Sequence, residues 1–551
     1  MPDPQRPADD AGLTHRQILV VLCGLLMGVA LSALDQTIVA TSIRTIADHF
    51  HHFELLAWVT TAYLATSTIV TPLFGKLSDL YGRKPCYVAA VSIFAVGSLA
   101  CACATSIYQL AVFRGVQGIG AGGLFSLAFT ILGDIVAPRQ RARYQGWFLA
   151  VFTGANLLGP LVGGILAGAP SILGITGWRW VFLINVPLSV ATLAVVVRVL
   201  TFDRVRAGGV RVDWAGGVLL VAGVAPLLIV AELGRAWGWG SAASLGCFAV
   251  FAVSTAAYVW SGKIAGERAF LPLRVFANRS FVKGTLVAFV VGTVMVGVIS
   301  IIPQFFQVSH GMGPMEAGFR LLPTMLGAIV GALCSGQLIV RTGRYRGQAV
   351  TGGVLTVASL AGLYFLTGDA SWPFELVALV LGFGVGMFNQ PLTLAVQNVL
   401  PARDMGVSTG AVTFFRQLGG TLGLAFFLTL FFVCTPAAVE RRVAAVSGEA
   451  DFRAAVVQVA ATSADPDART VAVALRERDT AAATDVVVHD SDVLQALPAV
   501  VRRPFERAFA DAMGIVFLAA AAVALAGLLL LLSWPPVPLR GESGLQEAAR
   551  Q

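Results

Sequence analysis

Two ionisable residues, Asp35 and Arg114, lie inside apolar stretches of this chain. An ionisable side chain at the centre of a membrane helix costs about 2.5–3.5 kcal/mol on insertion scales, so each is a functional candidate. Counted at about 1.5 Å per residue from the ends of their apolar runs, the two lie at similar depth. We predict that they pair, directly or through a bound molecule, and that Asp35 carries a proton or a cation. A static ion pair that fixes two helices is the alternative.

A charged, glycine-bounded loop separates the second apolar run from the third: Gly75-Lys-Leu-Ser-Asp79-Leu-Tyr-Gly82-Arg83-Lys84. Its glycine, leucine, glycine and arginine recur at the same offsets in Gly336–Arg346, again between apolar runs. A repeat over this distance indicates two copies of one helical bundle. We therefore expect both loops to lie at a membrane surface.

A glycine run and several polar side chains complete the set of candidate residues. The run is Gly154-x4-Gly159-Pro160-x2-Gly163-Gly164, in which glycine lets a neighbouring helix approach and proline permits a kink. The polar residues that are candidates for lining a cavity are Asn156, Glu232, Asn389, Gln390 and Arg416. Two of them have simpler alternatives, namely a local ion pair of Glu232 with Arg235 and snorkelling of Arg416 to a surface.

The composition places these residues in a membrane protein. Of 551 residues, 57% are hydrophobic and 12% are charged, which is outside the range of soluble globular proteins. The net charge of +8 does not indicate a nucleic-acid partner, because the basic residues cluster in short loops between apolar runs. The seven cysteines show neither a disulfide framework nor metal-ligand spacing, so we predict no metal and no cofactor.

Fourteen apolar runs are long enough to cross a membrane, and their loops predict the orientation. Nineteen lysines and arginines lie in one set of loops and three in the other, so the first set and both termini should face the cytoplasm. The predicted all-α organisation has these parts: tail 1–16, six-helix half 17–200, inserted helix pair 201–262, six-helix half 263–534, and tail 535–551.

Within the second half, residues 435–511 are polar and alanine-rich, and the topology places them outside the cell. We expect amphipathic helices at Arg441–Val459 and Pro504–Ala512, lying on the bundle. Residues around Ser463–Asp467 are expected to be loose. A solvated hairpin is the simpler interpretation of the segment, and a cap over the outer mouth is the alternative.

Four segments, all within residues 34–164, resemble signature motifs of the major facilitator superfamily, in its fourteen-span branch of drug:proton antiporters. They are Leu34-Asp35-x-Thr37-Ile38-Val39, the Gly75–Lys84 loop, Arg114-Gly115-x-x-Gly118-x-Gly120 and the Gly154–Gly164 run. The resemblance implies two halves that alternate access to the two membrane faces, with export driven by proton entry. Two positions depart from the family pattern: Leu80 stands where a basic residue is frequent, and Ser42-Ile43-Arg44 replaces Ala-Leu-Pro.

The resemblance also implies roles for single residues. Arg114 is implied to act in proton coupling and the glycine run in antiport. The loop residues Gly75, Asp79, Gly82, Arg83 and Lys84 are implied to form a conformational gate. We expect Asp79 to lie near the start of the thirteenth span, because a helix N-terminus attracts negative charge.

Together these patterns predict a proton-coupled exporter of lipophilic, cationic compounds in the cell membrane. Its expected partners are a small-molecule substrate, protons and membrane lipids, and it is expected to act as a monomer. A related carrier of an endogenous lipid or metabolite is the nearest alternative. An integral-membrane enzyme is the alternative from another class, and it would need a catalytic cluster that the sequence does not contain.

The predicted topology can be tested with one introduced cysteine. In a cysteine-free background, Ala464→Cys should react with an impermeant maleimide added to whole cells, because residues 435–511 are expected outside. Gln140→Cys is the matched control and should react only after permeabilisation. The reverse labelling pattern would contradict the orientation.

Overall fold

The computed structural model describes residues 15–50, 56–200, 212–312, 314–368, 372–401, 404–489 and 493–535. The predictions for most of both tails and for residues 201–211 lie outside the described residues. Nearly all the described chain is helical. The helices are α1 His15–Phe50, α2 Leu56–Tyr81, α3 Arg83–Ala102, α4 Ile107–Ile135, α5 Pro138–Gly168, α6 Gly177–Leu183, α7 Asn185–Val199, α8 Trp214–Trp237, α9 Ala242–Ala265, α10 Leu273–Ala277, α11 Arg279–His310, α12 Pro314–Arg320, α13 Leu322–Thr342, α14 Arg346–Leu366, α15 Trp372–Val399, α16 Met405–Val446, α17 Ala450–Thr462, α18 Pro466–Arg476, α19 Thr480–His489, α20 Val493–Ala496 and α21 Ala499–Leu532.

Thirteen of the described helical segments are long and apolar enough to cross a membrane. Three of these segments join a short helix to a longer one: α6 with α7, α12 with α13, and α9 with the 3₁₀ helix Gly266–Arg268. The predicted second span corresponds to α2, which has 26 residues but lies outside this apolar set. Its threonines and serines lower its hydropathy, and Thr66 and Thr71 donate back to carbonyls of their own helix. Helix α2 packs against α4 and α16, between neighbours rather than at the periphery.

The helices form two groups with a pair between them. Helices α1 to α7 pack on one another around apolar cores, and α11, α13, α14, α15, α16 and α21 do the same. Helices α8 and α9 pack together, and α8 also contacts both α2 and α16. The only strands in the described residues form a hairpin between α5 and α6, with Ser171 paired to Thr176 and Ile172 to Ile175.

Residues 435–511 differ from their predicted structure. Helix α16 continues to Val446, and the predicted surface helix at Pro504–Ala512 is the first part of α21. The expectation of a loose turn at residues 463–467 is wrong, because the Asp465 carboxylate accepts the backbone N–H groups of Asp467 and Ala468 and caps α18. Buried alanines, valines and leucines of α17 to α20 join the apolar core of the second group. The segment is therefore a packed helical layer, not a solvated hairpin.

Only some glycines of the run in α5 lie against a neighbouring helix. A Cβ at Gly159 would collide with Thr37, and one at Gly163 would collide with Thr41 and Ile38 of α1. A Cβ at Gly154 or Gly164 would meet nothing within 4 Å. The expectation that the whole run admits a neighbouring backbone is therefore wrong for these last two glycines.

This difference predicts that the same substitution has different effects on stability at two adjacent positions. Gly163→Val should destabilise the protein by about 1–3 kcal/mol, because the added side chain overpacks the contact between α1 and α5. Gly164→Val has the same change in helix propensity but faces open space, and should shift stability by no more than about 0.5 kcal/mol. Thermal unfolding of the purified variants in one detergent measures both, and equal melting temperatures would contradict the packing.

Candidate functional site

The sequence-predicted pair Asp35 and Arg114 meets inside the first group of helices. Arg114 Nη1 lies 2.6 Å from Asp35 Oδ2, and the two residues are 1% and 0% exposed. Helix α1 supplies the carboxylate and α4 the guanidinium. Because two charges at this spacing attract strongly away from water, the ionised forms stabilise each other.

Two amides that the sequence reasoning missed complete the surroundings of the carboxylate. Gln117 Nε2 donates to Asp35 Oδ1 at 2.8 Å, and Asn185 Nδ2 donates to the same oxygen at 2.6 Å. Gln117 also accepts from Arg114 at 2.6 Å and donates to Ser98 at 2.7 Å. The position of Gln117, one helical turn after Arg114, was a usable signal, whereas nothing in the sequence links Asn185 to Asp35.

Aromatic rings surround the guanidinium on its remaining sides. Arg114 Cζ lies 4.1 Å from the ring centroid of Tyr63 and 5.9 Å from that of Phe182. A cation over an aromatic face gains about 0.5–2 kcal/mol, more when it is desolvated. Arg114 Nε is buried without a hydrogen-bond partner among the described residues. Protonation of Asp35 would remove the main attraction that keeps this cation in place.

A second charged cluster joins the two groups of helices at one end of the bundle, here called the Asp79 end. The Asp79 carboxylate accepts the backbone N–H groups of Gly406 and Val407, each at 3.1 Å. These are orphan donors in the first turn of α16, where a negative charge is stabilised by about 0.3–1 kcal/mol. A Cβ at Gly75 would collide with the Gly406 carbonyl, so glycine is needed for this approach.

Arg83 holds Asp79 in position from the other side. Its guanidinium lies 2.6 Å from Asp79 Oδ1 and 2.7 Å from Asp134 Oδ2 of α4. Gly82 has a φ of 97°, a conformation that favours glycine, and this lets α3 begin directly after α2. Lys84 lies outside the cluster and donates to the Val197 carbonyl at 2.9 Å.

Further hydrogen bonds connect the groups at the Asp79 end. Arg139 of α5 donates to the Val340 carbonyl at 2.8 Å, and Arg141 donates to Gln397 at 2.9 Å. Gln390 of α15 donates to the Ala142 carbonyl. The halves are thus closed against each other at this end.

Arg416 lies at the contact between the groups, about 16 Å from the start of α16. Its Nη1 donates to Asn389 at 3.2 Å and to Thr393 at 3.5 Å, and its Cζ lies 5.8 Å from the Phe125 ring centroid. Phe125 belongs to α4 in the other group. The expectation that Arg416 snorkels to a surface is therefore wrong.

Two other candidates remain outside both clusters. The predicted pair of Glu232 with Arg235 is absent from the described part of the chain, and Arg235 instead lies 3.8 Å from the Phe432 ring centroid. Glu232 is exposed on α8. Asn156 is half-buried in α5, and its Oδ1 has no partner among the described residues.

The sequence profile of the Major Facilitator Superfamily matches residues 25–424. The chain belongs to the major facilitator superfamily. Multidrug transporter protein MdtP of Bacillus subtilis (strain 168) is 34% identical over 410 residues, which are 74% of each chain. The uncharacterized MFS-type transporter Rv1877 of Mycobacterium tuberculosis (strain ATCC 25618 / H37Rv) is 33% identical over 526 residues, 94% of this chain and 70% of that protein.

Solved structures of other superfamily transporters share the fold. The proton:xylose symporter XylE aligns over 98% of this chain and 100% of its own, with a TM-score of 0.58 and 11% identity. The human organic anion transporter MFSD10 aligns over 96% and 100%, with a TM-score of 0.56 and 14% identity. The chain is an all-α, multi-pass membrane transporter of small molecules, which excludes the enzyme alternative.

The contacts of the Asp79 cluster predict that replacing Asp79 changes the conformation of this transporter. Asp79→Asn should open the Asp79 end, because it weakens charge-assisted hydrogen bonds worth about 1.5–3 kcal/mol each. Spin labels at Arg198→Cys and Arg344→Cys, one in each half, would report a longer distance. Asp511→Asn is the matched control, because it removes the same charge from an ion pair with Arg442, near the other end of α16. An unchanged distance in Asp79→Asn would contradict a gating role.

Proposed function

We propose that this transporter is a proton-coupled antiporter that exports lipophilic compounds, antibiotics and other drugs among them, across the cell membrane. Relatives that cover most of the chain carry names such as multidrug transporter and efflux pump. The observation that carries the proposal is the buried carboxylate of Asp35 with its single guanidinium partner. A static anchor does not need a titratable group at this depth, where ionisable residues are costly.

Protonation of Asp35 changes how strongly α1 and α4 are held together. When Asp35 is ionised, it accepts hydrogen bonds from Arg114 and Gln117 of α4 and from Asn185 of α7. A proton on this carboxylate neutralises it and leaves the Arg114 cation without its counter-charge. Helices α1 and α4 are then free to separate, so the proton changes which arrangement of the first half is stable.

Alternating access requires that the contact between the halves break and reform. The Asp79 cluster suits this task because it crosses between α2 and α16 through hydrogen bonds from backbone N–H groups, which water can replace when the contact opens. Helix α4 carries both Arg114 and Asp134, and therefore connects the proton site to the gate. We further propose that the protein works as a monomer, since the path between the halves lies within one chain.

The sequence favours a cationic substrate because Asp35 is an interior carboxylate. In this conformation its two oxygens are occupied by Arg114 and two amides, so a substrate cation must displace them to reach the charge. We therefore assign Asp35 to the proton. A carrier of an endogenous lipid or metabolite would use the same machinery and differ only in the compound exported.

The proposal predicts the loss of proton-driven transport in one variant. Asp35→Asn removes the titrating group but keeps the hydrogen-bond acceptor and the shape, so the protein should fold and lose uphill transport. Asp35→Glu should keep partial activity with a displaced pH optimum. Accumulation of a permanently cationic dye, ethidium, and a permanently anionic one, 1-pyrenesulfonate, in proteoliposomes with an imposed pH gradient measures this.

The control compares the same vesicles without a pH gradient, where downhill movement should be similar for wild type and Asp35→Asn. If Asp35→Asn accumulates either dye uphill at the wild-type rate, the proton is carried elsewhere. Glu232 is then the next residue to replace.

A further inference from the structure

Arg416 carries a charge that no carboxylate of the described residues balances. Other interior arginines lie against carboxylates or against several carbonyl oxygens. Arg114 pairs with Asp35, and Arg83 pairs with Asp79 and Asp134. Arg141 donates to carbonyl oxygens of Gly133, Val136 and the Gln397 side chain.

The guanidinium of Arg416 uses only a small part of its donor capacity. An arginine has five N–H groups, and only Nη1 makes hydrogen bonds here, at 3.2 Å and 3.5 Å, to the neutral side chains of Asn389 and Thr393. Arg416 Nε and Nη2 have no protein acceptor within the described part of the chain. The residue is half-buried, so these donors remain open to a bound molecule.

Opposite Arg416 lies Phe125, at the edge of an aromatic cluster. Phe125 and Phe152 lie 5.7 Å apart, ring centroid to centroid, and Phe129 and Phe148 continue the cluster at 5.4 Å and 4.8 Å. All four belong to α4 and α5, whereas Arg416 belongs to α16 in the other half. A molecule held here touches both halves at about the middle of the membrane, where carriers of this kind bind.

We propose that Arg416, oriented by Asn389, recognises an anionic or strongly hydrogen-bond-accepting group, such as a carboxylate, on a lipophilic aromatic substrate. The acceptor group bonds the open N–H donors of the guanidinium in a charge-assisted, bidentate geometry. The apolar body packs against the Phe125 and Phe152 rings. This inference rests on the proposed export of lipophilic compounds and defines the charge of those that bind best.

The test uses three probes that share one aromatic body and differ in the head group. They are 1-pyrenebutanoate, its carboxamide, and 4-(1-pyrenyl)butyl-trimethylammonium, titrated by fluorescence against purified protein in nanodiscs with empty nanodiscs as the reference. We expect wild type to bind the carboxylate about tenfold more tightly than the ammonium, the factor that about 1.4 kcal/mol gives. The carboxamide should lie between them.

Variants separate recognition from folding. Arg416→Gln should lose the preference for carboxylate over ammonium, and Arg416→Lys should retain it in weaker form, since lysine keeps the charge but not the bidentate geometry. Arg320→Gln is the matched control, because Arg320 pairs with Glu375 and lies 5.9 Å from the Phe306 ring, away from Asn389. It removes the same charge and should leave the preference unchanged.

Two results would overturn the inference: equal or stronger binding of the ammonium by wild type, or a full carboxylate preference in Arg416→Gln. Binding is measured without a pH gradient, so either result leaves proton-coupled export untouched. Conversely, a carboxylate preference that depends on Arg416 would support this inference even if Asp35→Asn still accumulated dyes uphill, a result that would contradict only the proton role of Asp35. A melting temperature of Arg416→Gln close to that of wild type confirms that the variant is folded.

Discussion

A charge inside the hydrocarbon region persists only when another group of the protein stabilises it, and this constraint shapes the interior of the molecule. Asp35 satisfies it with one guanidinium and two amides. Asp79, buried at the end of the bundle, is stabilised in the same way by Arg83 and two backbone N–H groups. Each cluster is a set of bonds that are strong while complete and costly when one member is lost. Such clusters are suited to two discrete arrangements rather than to gradual deformation.

The two clusters differ in what they join. The Asp35 cluster ties α1, α4 and α7 together within one half, whereas the Asp79 cluster ties α2 to the first turn of α16 across the halves. Helix α4 links them mechanically, because Arg114 and Asp134 are twenty residues apart on it, about 30 Å at 1.5 Å per residue. In the proposed proton-coupled cycle, a displacement of α4 at one cluster would therefore reach the arginine of the other.

Sequence reasoning was correct where a single physical cost dominated and wrong where packing decided. Asp35 and Arg114 were identifiable because charge in a membrane span is expensive. The glycine run was over-interpreted, since the sequence does not say which glycines face α1 and which face open space. Residues 435–511 have a polar, alanine-rich composition that also suits a loose loop, and the apolar contacts of α17 to α20 with the second half make them a helical layer.

Composition and hydrophobic run length determined by themselves that the chain is an all-α membrane protein, and the repeated loop predicted two related halves. These signals are local, because a bilayer imposes its thickness on each span separately. The tertiary structure alone decided that Asn185 and Gln117 reach Asp35, and that Arg416 faces Phe125 rather than a membrane surface. These contacts join residues far apart in the chain, and they depend on how each helix is rotated about its axis, which periodicity in a uniformly apolar span does not specify.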